Sequence, residues 1–174
     1  ALSAINVEPN NLNYFSDDGA LYQELFGDQY HLLSYPAQKN DNTYSVLSGT
    51  VEIVESCFAS NHYLQSIVLP NSLTELPPMA FLGCTNLNSV TLPESLYSVS
   101  STAFCGCTSL LEIHIPASVS SFTSEYTPGE WLFDYSPLSV YFYGNAAPAF
   151  DAGIAELRDC ECPVTIYYPE DATG

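Results

Sequence analysis

Apolar residues return to the same slots every 23 positions between Phe58 and Pro116. Phe58, Phe81 and Phe104 head the units. Behind each follow Leu64, Leu87 and Leu110; Ile67, Val90 and Ile113; Leu69, Leu92 and Ile115; Pro70, Pro93 and Pro116; and Leu73, Leu96 and Val119. One such unit cannot bury its own apolar face, so a fixed period with fixed apolar slots predicts a solenoid in which each coil covers the next. The alternation from Leu64 to Pro70 predicts a short strand with Ile67 and Leu69 inward and Ser66 and Val68 outward. The proline ends it, having no N–H for a ladder. Leu73 with Leu76, Leu96 with Val99 and Val119 with Phe122 lie three apart, which predicts a tight turn or short strand on the opposite wall. Ala80 with Phe81, and Ala103 with Phe104, predict a one-turn 3₁₀ or helical corner, followed by a bend at Gly83 and Gly106. The expected fold is mainly β, with few residues in long helices.

Outside this frame the pattern is less regular. Residues 1–45 read as an irregular N-terminal hairpin unit. Ile5 and Val7 predict a strand followed by a turn. Asp17, Asp18 and Gly19 predict a turn that opens a strand at Ala20–Tyr22, and residues 31–36 predict its partner, ended by Pro36. Residues 39–43 read as a polar loop. A degenerate unit then starts at Tyr44 and Val46, which stand 23 before Ile67 and Leu69. Repeats are expected over 46–132 and a capping unit over 133–174, all in one solenoid domain spanning 1–174. The third unit breaks the rhythm: Thr127 stands where the closing Phe is due, and Phe133 comes six residues later. The excess lies in residues 124–131, and insertions in solenoids map to loops on one face that often carry binding. Beyond it, Val140 and Phe142 predict the inward side of a strand, with Tyr141 and Tyr143 outward. Phe150, Ile154 and Leu157 share one face of a predicted helix over 150–159. Residues 162–169 predict a closing strand.

Composition narrows the function. Of 174 residues 47% are hydrophobic, enough for a core, and a compact fold of this size buries about 70% of its unfolded surface. The formal charge is −18, with Lys39 and Arg158 the only Lys and Arg. Such a surface repels phosphate backbones and anionic headgroups, which argues against nucleic-acid partners and electrostatic membrane binding. Self-repulsion that keeps the chain soluble explains the charge; attraction for basic partners or divalent cations is the sharper alternative. No apolar run is long enough to span a membrane. The N-terminal residues lack the charged and apolar regions of a signal peptide, and the chain reads as a mature or excised piece of a longer protein.

The units resemble the BspA-type leucine-rich repeat. The resemblance rests on LQSIVLPNSLTEL, LNSVTLPESLYSV and LLEIHIPASVSSF, with Ala-Phe and Gly-Cys-Thr at the corners. The N-terminal DGALY and HLLSYP are similar to a hairpin that recurs in the family, and YFYGNAAP and TIYYPEDATG to its C-terminal endings. Three departures stand out: Asn61 where later units have Cys84 and Cys107, the six-residue insertion, and residues 24–30, which lengthen the hairpin. The resemblance implies a leucine-rich-repeat solenoid acting as a bacterial cell-surface or secreted, extracellular adhesion and interaction module without catalysis or cofactor.

Cys84 and Cys107 share a slot in neighbouring coils, where strands stack about 4.8 Å apart, yet parallel side chains on a ladder are poorly aimed for a disulfide. Buried thiols are the favoured reading there, as for Cys57 and Cys105, since cysteine is among the most buried residue types. Cys160 and Cys162 lack a second pair to complete a zinc site and suit a disulfide better. No metal site is expected. His62 falls in the corner slot of Thr85 and Thr108. Glu112 and His114 share one strand face and form the only candidate acid/base pair, with no nucleophile placed beside them. The outward positions run from Ser66 and Val68 through Ser89 and Thr91 to Glu112, His114, Tyr141 and Tyr143. The insertion adds Glu125, Tyr126, Glu130 and Trp131. Tyr and Trp favour interfaces because they are apolar on one side and polar on the other. These eight residues are the candidate ligand-binding set, with catalytic residues none. A protein partner, bound through the sheet face and the 123–132 loop, is the leading reading. Glycan binding through the Tyr and Trp cluster and a structural spacer within a larger adhesin are the alternatives. Trp131 equally suits a staple packed beneath its own loop.

Overall fold

The computed structural model describes residues 2–123, 139–144, 149–150 and 165–169. Glu125, Tyr126, Glu130, Trp131, Phe133, Arg158, Cys160, Cys162 and the expected helix beyond Phe150 lie outside the described residues. A four-stranded sheet opens the fold: β1 (Tyr14–Asp17), β2 (Ala20–Glu24) and β3 (Tyr30–Ser34) are antiparallel, and the strand Thr50–Ile53 joins β3 in parallel. Strands then alternate between two walls. They are β4 (Thr43–Ser45), β5 (Thr50–Ile53), β6 (Ser66–Val68), β7 (Glu75–Leu76), β8 (Ser89–Thr91), β9 (Ser98–Ser100), β10 (Glu112–Ile115) and β11 (Ser121–Thr123). The remaining three are β12 (Ser139–Phe142), β13 (Ala149–Phe150) and β14 (Thr165–Tyr167).

The first wall holds two parallel sheets, β4-β6-β8 and β10-β12-β14; the second holds β7-β9-β11-β13. The ladders follow the 23-residue step: Ser66 pairs with Ser89, Ile67 with Val90, Ser98 with Glu75 and Ser121. The apolar slots of both walls face one core. Ile67, Leu73, Leu87, Leu96, Val99 and Phe122 are all fully buried. At the corner, Phe58, Phe81 and Phe104 form a stacked spine with centroids 5.0 and 5.4 Å apart. Tyr35, 23 residues before Phe58, extends it at 5.0 Å and so docks the hairpin unit on the first coil.

The corners are not helical. Among the described residues there is no helix; the turns are closed by single i to i−3 bonds such as Leu82 N to Met79 O and Cys84 N to Phe81 O. Each corner contains a left-handed residue (Ser60, Gly83, Gly106; φ 59, 68 and 73°) just before the slot held by Asn61, Cys84 and Cys107, which a continuous helix does not accept. The amide–thiol departure at Asn61 has a physical reason. Cys84 and Cys107 each donate their thiol to a Phe carbonyl of the preceding coil, at 3.0 and 3.2 Å. Asn61 is preceded by the hairpin unit, and its amide donates to Pro36 O and Lys39 O while accepting from the N–H groups of Tyr63 and Leu64. The slot ties each coil to its predecessor. The two sulfurs are not bonded to each other, and burial pushes the Cys84 thiol up to about 12.

Four other expectations are corrected. Ile5 and Val7 form no strand; isolated bonds, such as Ile5 N to Gly19 O, lay that segment against the β1–β2 turn instead. Lys39 is not in a solvated loop. It is buried and pairs with Asp18 at 3.1 Å and with Asp41, beside the Tyr35 ring. Cys105 is only half-buried, because its slot is the outward one of Leu82. Phe150, expected to start a helix, lies in β13 beside Phe122. The longer β2–β3 connection also explains Gly49: a Cβ there would meet Asp28 O at 2.3 Å.

The second wall is divided where Glu52 and Glu75 fall in one slot of neighbouring coils. Like charges placed directly opposite oppose pairing. Glu52 turns instead to His31 at 3.2 Å, and Glu75 accepts from the Tyr97 hydroxyl.

Candidate interaction face

The parallel ladder of β10, β12 and β14 sets the geometry of the outward face. Its register places His114 opposite Tyr141, and Tyr141 opposite Tyr167. Strand alternation sends Ile113, Ile115, Val140 and Phe142 into the core, so these three rings must point to solvent. The stacking is close to parallel: His114 to Tyr141 at 4.9 Å and 11°, Tyr141 to Tyr167 at 4.5 Å and 7°. Tyr143, one step past β12, also lies against the imidazole at 5.7 Å, and its hydroxyl meets His114 Nδ1 at 2.7 Å. On the other side, His114 Nε2 stands 3.8 Å from Glu112 Oε1. The Tyr143 hydroxyl and Nδ1 share one hydrogen bond, its donor set by the imidazole tautomer, while Glu112 at 3.8 Å is an electrostatic contact. Glu112, His114, Tyr143 and Tyr167 are all substantially exposed.

Of the eight sequence candidates, Glu112, His114, Tyr141 and Tyr143 are brought together, and Glu125, Tyr126, Glu130 and Trp131 lie outside the described residues. The sequence reading missed Tyr167. Its signal is the outward position of the closing strand, readable only once Tyr141 and Tyr167 are known to be in register. The reading also placed no nucleophile beside Glu112 and His114, whereas the Tyr143 hydroxyl is hydrogen-bonded to the imidazole. The trio sits on an open sheet face that water reaches freely, so its contacts fix ring orientation; the Glu112 carboxylate stays solvated. Among the described residues no group of three or more His, Cys, Asp or Glu is disposed to hold a metal ion. No helix among them is long and apolar enough to cross a membrane.

Beside the rings runs a second outward row, Glu112–Ser139–Thr165, which repeats the hydroxyl row Thr43–Ser66–Ser89 of the earlier coils. His62 and Thr85 begin a comparable ladder at the corner, joined at 3.0 Å, with Thr108 bonded on to Thr85 O. The latter is a polar seam between coils, the counterpart of the shared slot in the sequence.

The model of the BspA type leucine rich repeat region, described as six copies, matches residues 40–127, just over half of the chain. No curated protein matches. Among solved structures, the chain is similar to a leucine rich cell surface protein of Faecalibacterium prausnitzii at 23% identity and a TM-score of 0.75, covering 96% of this chain and 42% of that one. It is similar to the pneumococcal vaccine antigen PcpA at 25% identity and a TM-score of 0.76, covering 100% of this chain and 42% of the other. A leucine-rich repeat protein of Bacteroides capillosus shares 22% identity at a TM-score of 0.63, with 76% of this chain and 99% of that chain covered. The chain thus spans about two fifths of the length of the first two. The repeat units, their ladder and the matching model agree: this chain belongs to the BspA-type leucine-rich repeat family.

Proposed function

We propose that the chain is a non-catalytic interaction module of a bacterial cell-surface or secreted protein, and that it binds a protein partner. Contact is made through the outward side of β10, β12 and β14, with Glu112, His114, Tyr141, Tyr143 and Tyr167 at its centre, and through residues 123–132. The observation that carries this reading is the exposed, pre-stacked row His114–Tyr141–Tyr167. Rings held by one another lose little side-chain freedom on binding, and Tyr is enriched where interfaces concentrate their energy. The same stacking favours protein over glycan. Tyr141 has both faces covered, by His114 and Tyr167, so it offers edges and a hydroxyl and not the open face on which a sugar ring packs. The neighbours described as a cell surface protein and a vaccine antigen support an exposed location for this one.

The reading is tested by probing the purified chain against arrays of host and bacterial surface proteins and against a glycan array. A protein ligand lost in a His114→Ala/Tyr141→Ala/Tyr167→Ala variant is the expected result. Glycan ligands lost in the same variant would replace the partner class. A protein ligand that survives the variant would remove the face from the account.

A further inference from the structure

We propose that this face contains a receptor for an arginine side chain, centred on Glu112, so that its partner presents an exposed arginine next to an aromatic or apolar residue. The inference rests on reading the face as protein-binding and adds the chemistry of the partner. Glu112 is the one formal charge in an outward row otherwise made of hydroxyls: it is in register with Ser139 and Thr165, and it stands 23 residues after Ser89. Its side chain is 63% exposed. The nearest side chain that can carry positive charge is His114, at 3.8 Å and beyond hydrogen-bonding distance. The carboxylate therefore keeps acceptor capacity for a second group.

The described residues offer no cation to fill it. The single Lys, Lys39, is buried against Asp18 and Asp41, so no ammonium or guanidinium among the described residues faces solvent. With a formal charge of −18, the surface favours a cationic partner. Arginine suits the place better than lysine. Its planar fork matches a carboxylate with two parallel hydrogen bonds, and its less hydrated head and flat stem can lie along the edges of His114, Tyr141 and Tyr143. The Tyr143 hydroxyl anchors the imidazole, which keeps the carboxylate at the rim of the ring row.

The test is a titration of the ¹⁵N-labelled chain with the peptide acetyl-Gly-Arg-Pro-Phe-Gly-amide, followed by backbone amide shifts. The comparison peptides carry citrulline, a neutral isostere, or lysine in place of arginine. Saturable shifts on β10 and β12 are expected with the arginine peptide, weakened about five-fold or more by citrulline, by Glu112→Gln and by Glu112→Ser, and less by lysine. Glu112→Ser restores the hydroxyl of the flanking strands, so one of the two variants keeps the native spectrum. Shifts spread over acidic residues such as Glu75 and Glu94 and indifferent to either variant would overturn the proposal, as would an absence of shifts on β10 and β12. Either failure leaves the protein-binding reading intact, because that reading is decided by loss of a protein ligand in the three-ring variant.

Discussion

The fold contains two stacks of rings made by the same device and placed on opposite sides of it. Phe58, Phe81 and Phe104 stack inward at 5.0 and 5.4 Å; His114, Tyr141 and Tyr167 stack outward at 4.9 and 4.5 Å. Both spacings are imposed by coils that ladder about 4.8 Å apart. The difference lies in what surrounds them. The inward stack is sealed by both walls, and each Phe contributes burial worth about 1.5–3 kcal/mol besides its ring contacts. The outward stack keeps its edges and hydroxyls in water, where cross-strand ring pairs contribute about 0.2–1 kcal/mol each. One repeat geometry thus yields a stabilising spine and a solvent-facing row, and breaking each should read out differently.

The largest effect belongs to the spine. Phe81→Ala removes the middle ring of the inward stack and is expected to destabilise by about 3–5 kcal/mol in urea unfolding, because the coils on both sides lose a packing partner. Asn61→Ala comes next. It strands two carbonyls and two N–H groups at the joint between hairpin unit and first coil, at a cost of about 2–3 kcal/mol. An Asn61 variant within a few tenths of wild type would mean that the hairpin is held by the Tyr35 contact and not by the amide.

The sealed corner also predicts a loss of stability at high pH. Burial pushes the Cys57 and Cys84 thiols from 9.0 up to about 12, and the Tyr44 hydroxyl is raised by burial too. Above the unfolded thiol value the unfolded chain loses its protons first, so stability is complete below about pH 9 and falls as pH rises toward 12. Urea midpoints measured at rising pH through that window should decline, and the decline should be shallower in Cys57→Ala/Cys84→Ala. A flat profile would mean that the thiols are not sealed from water. The smallest effect on stability is expected from Tyr141→Ala, about 1 kcal/mol or less, since the ring is lost from the surface and its backbone ladder remains.

Much of this was legible in the chain. The Phe spine, the inward Ile67 and Leu69 slots and the second-wall pairs follow from a 23-residue step in which like residues recur, and the outward rank of Glu112, His114, Tyr141 and Tyr143 follows from strand alternation. What was not legible depended on register across irregular segments or on long-range pairing. Tyr35 belongs to the Phe slot, but the hairpin hides the step. Tyr167 completes the ring row only through its ladder with Tyr141. Lys39 looks solvated among polar neighbours until Asp18, brought back by the hairpin, closes over it. The corners at Ala80 with Phe81 and Ala103 with Phe104 read as one-turn 3₁₀ or helical because their apolar content resembles a helix turn; the bends at Gly83 and Gly106 are legible, and the left-handed backbone at Ser60 is not.

The proposed division of labour gives binding to the outward rings and stability to the inward ones. It is tested most directly by measuring, on one preparation, the urea midpoint and the binding of a protein ligand found in the array screen, for wild type and the His114→Ala/Tyr141→Ala/Tyr167→Ala variant. The account predicts a midpoint close to wild type with binding lost. Binding retained at wild-type strength by a folded variant would contradict it.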